Sequence, residues 1–340
     1  MKKFKFIDLF AGIGGFHLAM HSIGGECVFA SEWDKYARIT YEENFKGYNP
    51  TLFQSGQFNW DINNVDLDQI PLFDVLCAGF PCQPFSHAGL KKGFEDTRGT
   101  LFFNIAEIVN KKKNNGTPPR VLLLENVKGL KNHDKGKTMV TILKVLEDLG
   151  YYVNYKVLNT KYFGLPQNRE RLFIVAWLKT QEAPREFMFP IGIDQDDKII
   201  SEESQLATKS RSTKLGDILL SEVDNKYTIS DKLYNGHKRR LIEHKEKGNG
   251  FGFSLFDENS KYTSTISARY YKDGSEILIK QGNKNPRKLS PVEAGLLQGY
   301  PMNSGFKLVV SDVQAYKQFG NSVSVPVVTA LAKEISKQLL

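Results

Sequence analysis

The chain has 340 residues, 41% of them hydrophobic and 25% charged, with a formal net charge of +8. This is enough apolar sequence for one large core or two unequal ones, and the positive surplus suits an acidic partner as well as solubility. Three cysteines without metal-ligand spacing argue against a disulfide framework and a zinc site, and no apolar run approaches a membrane span. A metal-free, cytoplasmic protein is therefore expected.

Lys5-Phe-Ile-Asp-Leu-Phe-Ala11 reads as a strand, Gly12-Ile-Gly-Gly15 as a tight turn containing Gly12 and Gly14, and Phe16–His21 as the start of a helix. Strand, glycine turn and helix together bring backbone close to a nucleotide-like ligand. His17 stands where the dinucleotide fingerprint has its third glycine, so a pyrophosphate is disfavoured and a ligand with a free ribose remains open. A second strand, Glu26–Ser31, ends at Glu32-Trp33-Asp34. An acid about twenty residues past the glycine turn is placed to take two ribose hydroxyls, and Trp33 can stack on an adenine. The plainer alternatives are Asp34 as N-cap of a helix Lys35–Phe45 and Trp33 as a core residue. Asn59-Trp-Asp-Ile62 reads as the end of a third strand, which would add Asp61 to the same edge.

Phe73–Ala78 is a short interior strand, and Gly79 permits a sharp exit into a loop stiffened by Pro81 and Pro84. Cys27 and Cys77, each inside an apolar run, read as small buried hydrophobes. Cys82, on the rigid loop with Gln83, Ser86 and His87, is presented to a ligand and suits a nucleophile of lowered pKa. An amphipathic helix then runs to about Lys113, with Lys111-Lys-Lys113 expected as its solvated end. Arg120-Val-Leu-Leu-Leu124 is a fully apolar strand carrying Glu125 and Asn126 at its carboxyl end. A carboxylate there is poorly hydrated, which raises its pKa toward that of a proton donor at neutral pH.

Lys137–Leu149 reads as a helix closed by Gly150, Tyr151–Asn159 as a strand, and Leu172–Ala176 as the last strong strand. Arg169 and Arg171, two apart on an extended segment, are expected on one face, where an arginine pair holds carboxylates or phosphates. From about Glu182 the α/β alternation gives way to polar sequence with short aromatic strands, a second domain reaching about Asn285. Between Lys226 and Lys288 there are 14 Lys/Arg against 7 Asp/Glu, a local basic surplus of the kind a nucleic-acid face carries. Gly-rich and aromatic stretches within it, including Asn249, Arg269 and Tyr270, can lie against a backbone or offer groups to base edges. His237-Lys-Arg-Arg240, with Glu243 and Lys247 at helical spacing, reads as a solvated helix face. Ser290-Pro-Val-Glu293 is a capping box, and a C-terminal helix from about Pro326 keeps an apolar stripe that packs back on the first sheet.

Five stretches in order, Phe6-Ile-Asp-Leu-Phe-Ala-Gly-Ile-Gly-Gly15, Gly79-Phe-Pro-Cys-Gln83, Glu125-Asn-Val127, Gln167-Asn-Arg-Glu-Arg171 and Gln318-Phe-Gly-Asn-Ser-Val323, resemble the motifs of bacterial DNA (cytosine-5)-methyltransferases. The resemblance implies an α/β, Rossmann-like catalytic domain over residues 1–185, completed by 302–340. A smaller, mostly β target-recognition domain with its hinge would occupy 186–301. It implies S-adenosylmethionine as methyl donor, contacted by Phe10, Gly12, Gly14, Glu32, Trp33, Asp61, Ile62, Pro81, Leu101, Asn321, Ser322 and Val323. Cys82 would add to carbon 6 of a flipped-out cytosine while Glu125 supports protonation at N3; Asn126 would fix the loop, and Arg169 and Arg171 would position base and phosphate. Duplex DNA would meet Gln83, Ser86, Asn249, Arg269 and Tyr270. A monomer working beside a cognate restriction endonuclease is implied. Gly248–Gly252 and Ser267–Glu276 are similar to segments of enzymes that methylate CC…GG sites. An RNA methyltransferase of the same chemistry usually has a much shorter insert, a binding-only relative would not need the Cys82, Glu125 and Arg171 set, and a nicotinamide dehydrogenase leaves Cys82 and the basic segment unexplained.

Overall fold

The run Val121-Leu-Leu-Leu124 has no polar alternation, and such a strand must be covered on both faces. It is: in the computed structural model it forms an interior strand of a seven-stranded sheet, and all four side chains are buried. The structure describes residues 4–81, 101–180, 183–193, 213–248 and 252–339, so Cys82, Gln83, Ser86 and Asn249 lie outside the described residues. The chain divides into a unit of residues 1–158, 170–190 and 327–340 and a second unit of residues 159–169 and 191–326.

The first unit's sheet is built from β1 (Phe4–Leu9), β2 (Gly25–Ser31), β3 (Phe58–Asn59), β4 (Val75–Gly79), β5 (Val121–Val127), β6 (Tyr151–Asn159) and β7 (Glu170–Leu178), in the order β3-β2-β1-β4-β5-β7-β6. β1 pairs parallel with β2 and β4, β2 with β3, and β4 with β5, while β7 runs antiparallel to β5. The chain winds outward from β1 in one direction and from β4 in the other. The carboxyl ends of β1 and β4 therefore flank the topological switch point, where open sheets of this kind place ligands.

Ile7 and Leu9 of β1, Leu76 and Ala78 of β4 and Leu122 and Leu124 of β5 share one core cluster with Phe102, Ile105 and Ile108 of α4 (Leu101–Asn114) and Met139, Ile142 and Leu146 of α5 (Lys137–Asp148). Each of these leucine, isoleucine, phenylalanine and methionine side chains, fully buried, contributes about 1.5–3 kcal/mol. On the opposite face, Phe6 meets the edge of the His17 ring of α1 (Gly15–His21), 5.6 Å between centroids. His17 is wholly buried, stacked at 4.0 Å on Phe45 of α2 (Lys35–Phe45), which the short α3 (Pro50–Gln54) follows, and its Nδ1 is 2.6 Å from the Tyr41 hydroxyl. The position that lacks the fingerprint glycine is thus filled by an aromatic core residue. Gly14, at φ 83°, passes so close to Phe45 that a Cβ would stand 2.1 Å from its ring.

Two expectations are corrected here. The third strand stops at Asn59 because the Asp61 carboxylate accepts the backbone N–H of Asn63 at 3.0 Å and turns the chain into a short 3-10 segment, Ile62–Asn64. Lys112 is not a solvated helix end: it is buried and its ammonium donates to the Ile70 carbonyl, while Lys111 reaches Asp68 at 2.9 Å. Burial draws the Lys112 pKa down, with Asp68 opposing. Asp34 does cap α2, its carboxylate accepting the N–H groups of Tyr36 and Ala37.

The second unit carries a sheet ordered β10-β9-β8, from β8 (Leu255–Phe256), β9 (Leu278–Gln281) and β10 (Lys284–Lys288). With it go α6 (Asp231–Glu246), α7 (Pro291–Leu297) and α8 (Asp312–Asn321). The capping box of α7 forms as its sequence dictates. Glu293 accepts the Ser290 N–H and is also clasped by both terminal nitrogens of Arg287 at 2.8 Å, so a wholly buried carboxylate is compensated by several donors. No helix among the described residues is long and apolar enough to cross a membrane.

Burial, and then the charge of His21, lower the His17 pKa from 6.5 to about 3. The unfolded chain takes up a proton below pH 6.5 that the folded chain refuses, so this residue's contribution is complete above pH 6.5 and is lost as pH falls toward 3, by up to about 1.4 kcal/mol per pH unit. His17→Phe should flatten that slope: the stability lost between pH 6.5 and 4.5, read by urea denaturation, should be smaller than in the wild type by at least about 1 kcal/mol. Equal losses in both proteins would refute the assignment.

Candidate functional site

Two groups of residues stand at the switch-point edge of the first unit. At the end of β1 the backbone turns left-handed at Phe10 (φ 55°) and again at Gly12 (φ 56°). Among the described residues, a Cβ on Gly12 would meet nothing within 4 Å. Its N–H is held by Glu32 Oε2 at 2.7 Å, and Glu32 Oε1 accepts the Asp34 N–H at 2.7 Å. One carboxylate therefore joins the glycine turn to the end of β2. Burial raises its pKa, and the N–H groups of Asp34 and Gly12 offset part of that rise.

Beside it Trp33 is 74% exposed, a large apolar ring left in solvent, so the alternative of a core tryptophan is set aside. Ile62 is buried, and Asp61 is occupied in capping. Asp8, read from sequence only as a strand residue, lies wholly buried near Glu32, and among the described residues its oxygens have no hydrogen-bond partner of standard geometry. Burial and then the Glu32 charge hold its pKa well above the usual carboxylate range, with the backbone N–H of His17 opposing. Alternation along β1, which puts Asp8 with Phe6 on the face opposite Ile7 and Leu9, was the available signal.

The second group is at β4, β5 and β7. Gly79 pairs with Glu125 in the parallel register, and a Cβ at Gly79 would lie 3.6 Å from both Glu125 Oε2 and the Phe16 ring. The carboxylate thus sits over the exit of β4, three residues before Cys82 in sequence. Arg171 Nε lies 3.2 Å from Glu125 Oε1, both side chains mostly buried. Burial lowers the Arg171 pKa and the Glu125 charge opposes that. Asn126, also buried, donates from Nδ2 to the Phe80 carbonyl at 2.7 Å and accepts the Val127 N–H at 2.8 Å, which ties the two strand ends together. Pro81 follows Phe80 and is exposed; Leu101 opens α4 and is partly buried.

The expectation of two arginines on one face is corrected. Arg169 precedes β7 and belongs to the second unit, where it is 1% exposed and donates to the carbonyls of Ile266 (3.0 Å), Gly320 (3.1 Å) and Ser322 (2.6 Å). It is a fastener of backbone, because three carbonyls converge where the guanidinium fork can reach all of them. Tyr270 is likewise no surface contact. It is 0% exposed, with its hydroxyl donating to the Ile277 carbonyl at 2.6 Å and accepting the Leu289 N–H at 2.8 Å. Arg269 next to it is exposed. Asn321 ends α8 and is exposed; Ser322 and Val323 are buried, the Ser322 hydroxyl 2.6 Å from that of Tyr300.

The family model for C-5 cytosine-specific DNA methylase matches residues 4–337. "Type II methyltransferase M.SsoII" of Shigella sonnei is 51% identical over 340 residues, covering 99% of this chain and 81% of that protein. "Type II methyltransferase M.NlaX" of Neisseria lactamica is 51% identical over 338 residues, covering 99% and 97%. Among solved structures, the S. pombe Dnmt2 methyltransferase superposes with a TM-score of 0.72 at 20% identity, covering 99% of each chain, a likeness of fold.

Glu125 and Arg171 should be energetically coupled. In a double-mutant cycle of Glu125→Gln and Arg171→Met followed by urea denaturation, the pair should show at least about 1 kcal/mol of interaction, because either single change leaves a mostly buried charge without this partner. Additivity within about 0.3 kcal/mol would contradict the pairing.

Proposed function

Because the chain belongs to the C-5 cytosine-specific DNA methylase family, and is a DNA (cytosine-5)-methyltransferase whose methyl donor is S-adenosylmethionine, we propose that it is the modification enzyme of a type II restriction-modification system. Its reaction runs through a covalent adduct between Cys82 and a cytosine extruded from the duplex. The observation that carries this reading is the Glu125 carboxylate, held by Arg171 over the exit of the strand that leads to Cys82.

Carbon 5 of cytosine is a weak nucleophile. The Cys82 thiolate adds to carbon 6, and the electron pair displaced from the 5,6 double bond is drawn toward ring N3, which takes a proton from Glu125. Arg171 holds that carboxylate in place, and Asn126 anchors the Phe80 carbonyl, two residues before Cys82 in sequence. After methylation, loss of the carbon-5 proton to a base lets the thiolate leave while N3 returns its proton to Glu125, which restores the ring. A cytosine must face Cys82 with its ring, so it has to leave the stack, at a cost of a few kcal/mol that contacts to the flanking DNA offset.

S-adenosylmethionine, when bound, supplies an electrophilic methyl group. The residues at the β1 and β2 ends fit such a donor: Glu32 is anchored for two ribose hydroxyls, Trp33 offers an exposed ring to an adenine, and a Cβ on Gly12 would meet none of the described residues within 4 Å. His17 fills the place where a pyrophosphate cradle would need a glycine, and this donor has no pyrophosphate. The second unit reads the target, of CC…GG type, through its basic surface and Arg269. The enzyme acts as a monomer in the cytoplasm, alongside a cognate endonuclease of the same specificity.

A duplex carrying 5-fluorocytosine at the target should trap the wild-type chain, with donor present, as a complex that survives denaturing electrophoresis. Cys82→Ser should give no such complex and should lose methyl transfer by roughly three orders of magnitude or more, with DNA binding largely kept. Wild-type turnover in that variant would overturn the nucleophile.

A further inference from the structure

The end of β3 is weakly built by its own backbone. The strand has two residues, lies at the sheet's edge, and pairs with β2 only over Ala30 and Ser31, flanked by bonds from the Ala30 N–H to the Gln57 carbonyl (2.9 Å) and from the Glu32 N–H to the Asn59 carbonyl (3.1 Å). Yet it leads directly into Trp60, Asp61 and Ile62, and it borders Glu32. One side chain from α2 compensates. Arg38 Nη1 donates to the carbonyls of Asn59 and Glu32 (the latter 3.2 Å), and Nη2 donates to the Phe58 carbonyl at 3.0 Å. Its guanidinium also lies 3.9 Å from the Phe58 ring centroid and 4.3 Å from that of Trp60. Phe58 in turn stacks on Tyr41 at 4.7 Å.

We infer that Arg38 is a positioning residue for the methyl donor: it locks the ends of β2 and β3 together, and so sets the spacing between Glu32 and the Trp60–Ile62 segment. Arg38 acts through these two elements and not by touching the donor. Three carbonyls and two rings around one planar cation define a set of contacts that only a guanidinium completes; an ammonium has neither the fork nor the flat face. Trp60 is 55% exposed, and its ring is held in orientation by this cation. Nothing in the sequence marks Arg38, since on α2 it reads as one more polar helix position.

The inference rests on the reading that Glu32 and its neighbours take the nucleoside part of the donor, so the experiment includes a control for that reading. For the full chain carrying Arg38→Met, Arg38→Lys or Glu32→Ala, the dissociation constant for S-adenosylmethionine is measured by isothermal titration calorimetry, beside steady-state kinetics of methyl transfer to duplex DNA with donor and DNA varied separately. Both Arg38 variants should raise Kd and KM for S-adenosylmethionine about tenfold, with kcat at saturating donor and KM for DNA each within about twofold of wild type. If Arg38→Met does not fold, Arg38→Lys decides. An unchanged donor KM in the folded Arg38 variants while Glu32→Ala raises it would overturn the inference alone. An unchanged donor KM in Glu32→Ala would overturn the donor-site reading and the inference together. A fall in kcat with no selective rise in donor KM would mean that Arg38 merely supports the fold, and would also overturn the inference.

Discussion

Two backbone N–H groups, from Gly12 after β1 and from Asp34 after β2, converge on the carboxylate of Glu32. A left-handed glycine turn has no regular hydrogen-bonding partner of its own, and the end of a parallel strand leaves donors open. Satisfying one of each with a single side chain sets the turn and the strand end at a defined separation. The burial that raises the carboxyl's pKa is the same burial that makes these two bonds count, because a charged acceptor in a low dielectric binds its donors strongly. Around this point the packing is aromatic and close: His17 on Phe45, Phe45 against Gly14, Tyr41 on Phe58. The shape of the turn is therefore maintained from below by ring stacking and from the side by a carboxylate.

Two arginines only two residues apart do different work. Arg171, at the start of β7, pairs with Glu125 on the neighbouring strand and leaves a charged, partly buried couple at the sheet's edge. Arg169 is consumed by three carbonyls within the second unit, where it joins the Ile266 segment to the end of α8. Gly320 shows how tight that junction is, since a Cβ there would stand 2.2 Å from the Ala268 backbone nitrogen. The segment just before Arg269 is thus mounted on a tightly packed seat.

Much of this was legible in the sequence, and the reasons for success and failure are physical. The β1–turn–α1 unit, α2 with its Asp34 cap, β6 and the α7 capping box are specified by local chemistry: glycine where φ is positive, an oxygen at the N-cap, a serine and glutamate three apart. Glu125 could be placed at a strand end because the apolar run before it admits no other reading. What could not be read was burial that depends on partners distant in sequence. Lys112 meets Ile70, Arg169 meets Ile266 and Gly320, and Tyr270 meets Leu289. In each case a polar side chain with a surface-like signature goes inside because carbonyls or amides from elsewhere await it. Arg38, only partly buried, likewise finds carbonyl partners distant in sequence, at Phe58 and Asn59.

Carbon-5 methylation of cytosine is proposed at the edge where β4 and β5 end and β7 begins. Nucleoside mass spectrometry of duplex DNA, treated with the purified chain and isotope-labelled S-adenosylmethionine, tests that claim directly. The label should appear in 5-methyldeoxycytidine. Label in N4-methyldeoxycytidine or N6-methyldeoxyadenosine, or in no nucleoside at all, would contradict it.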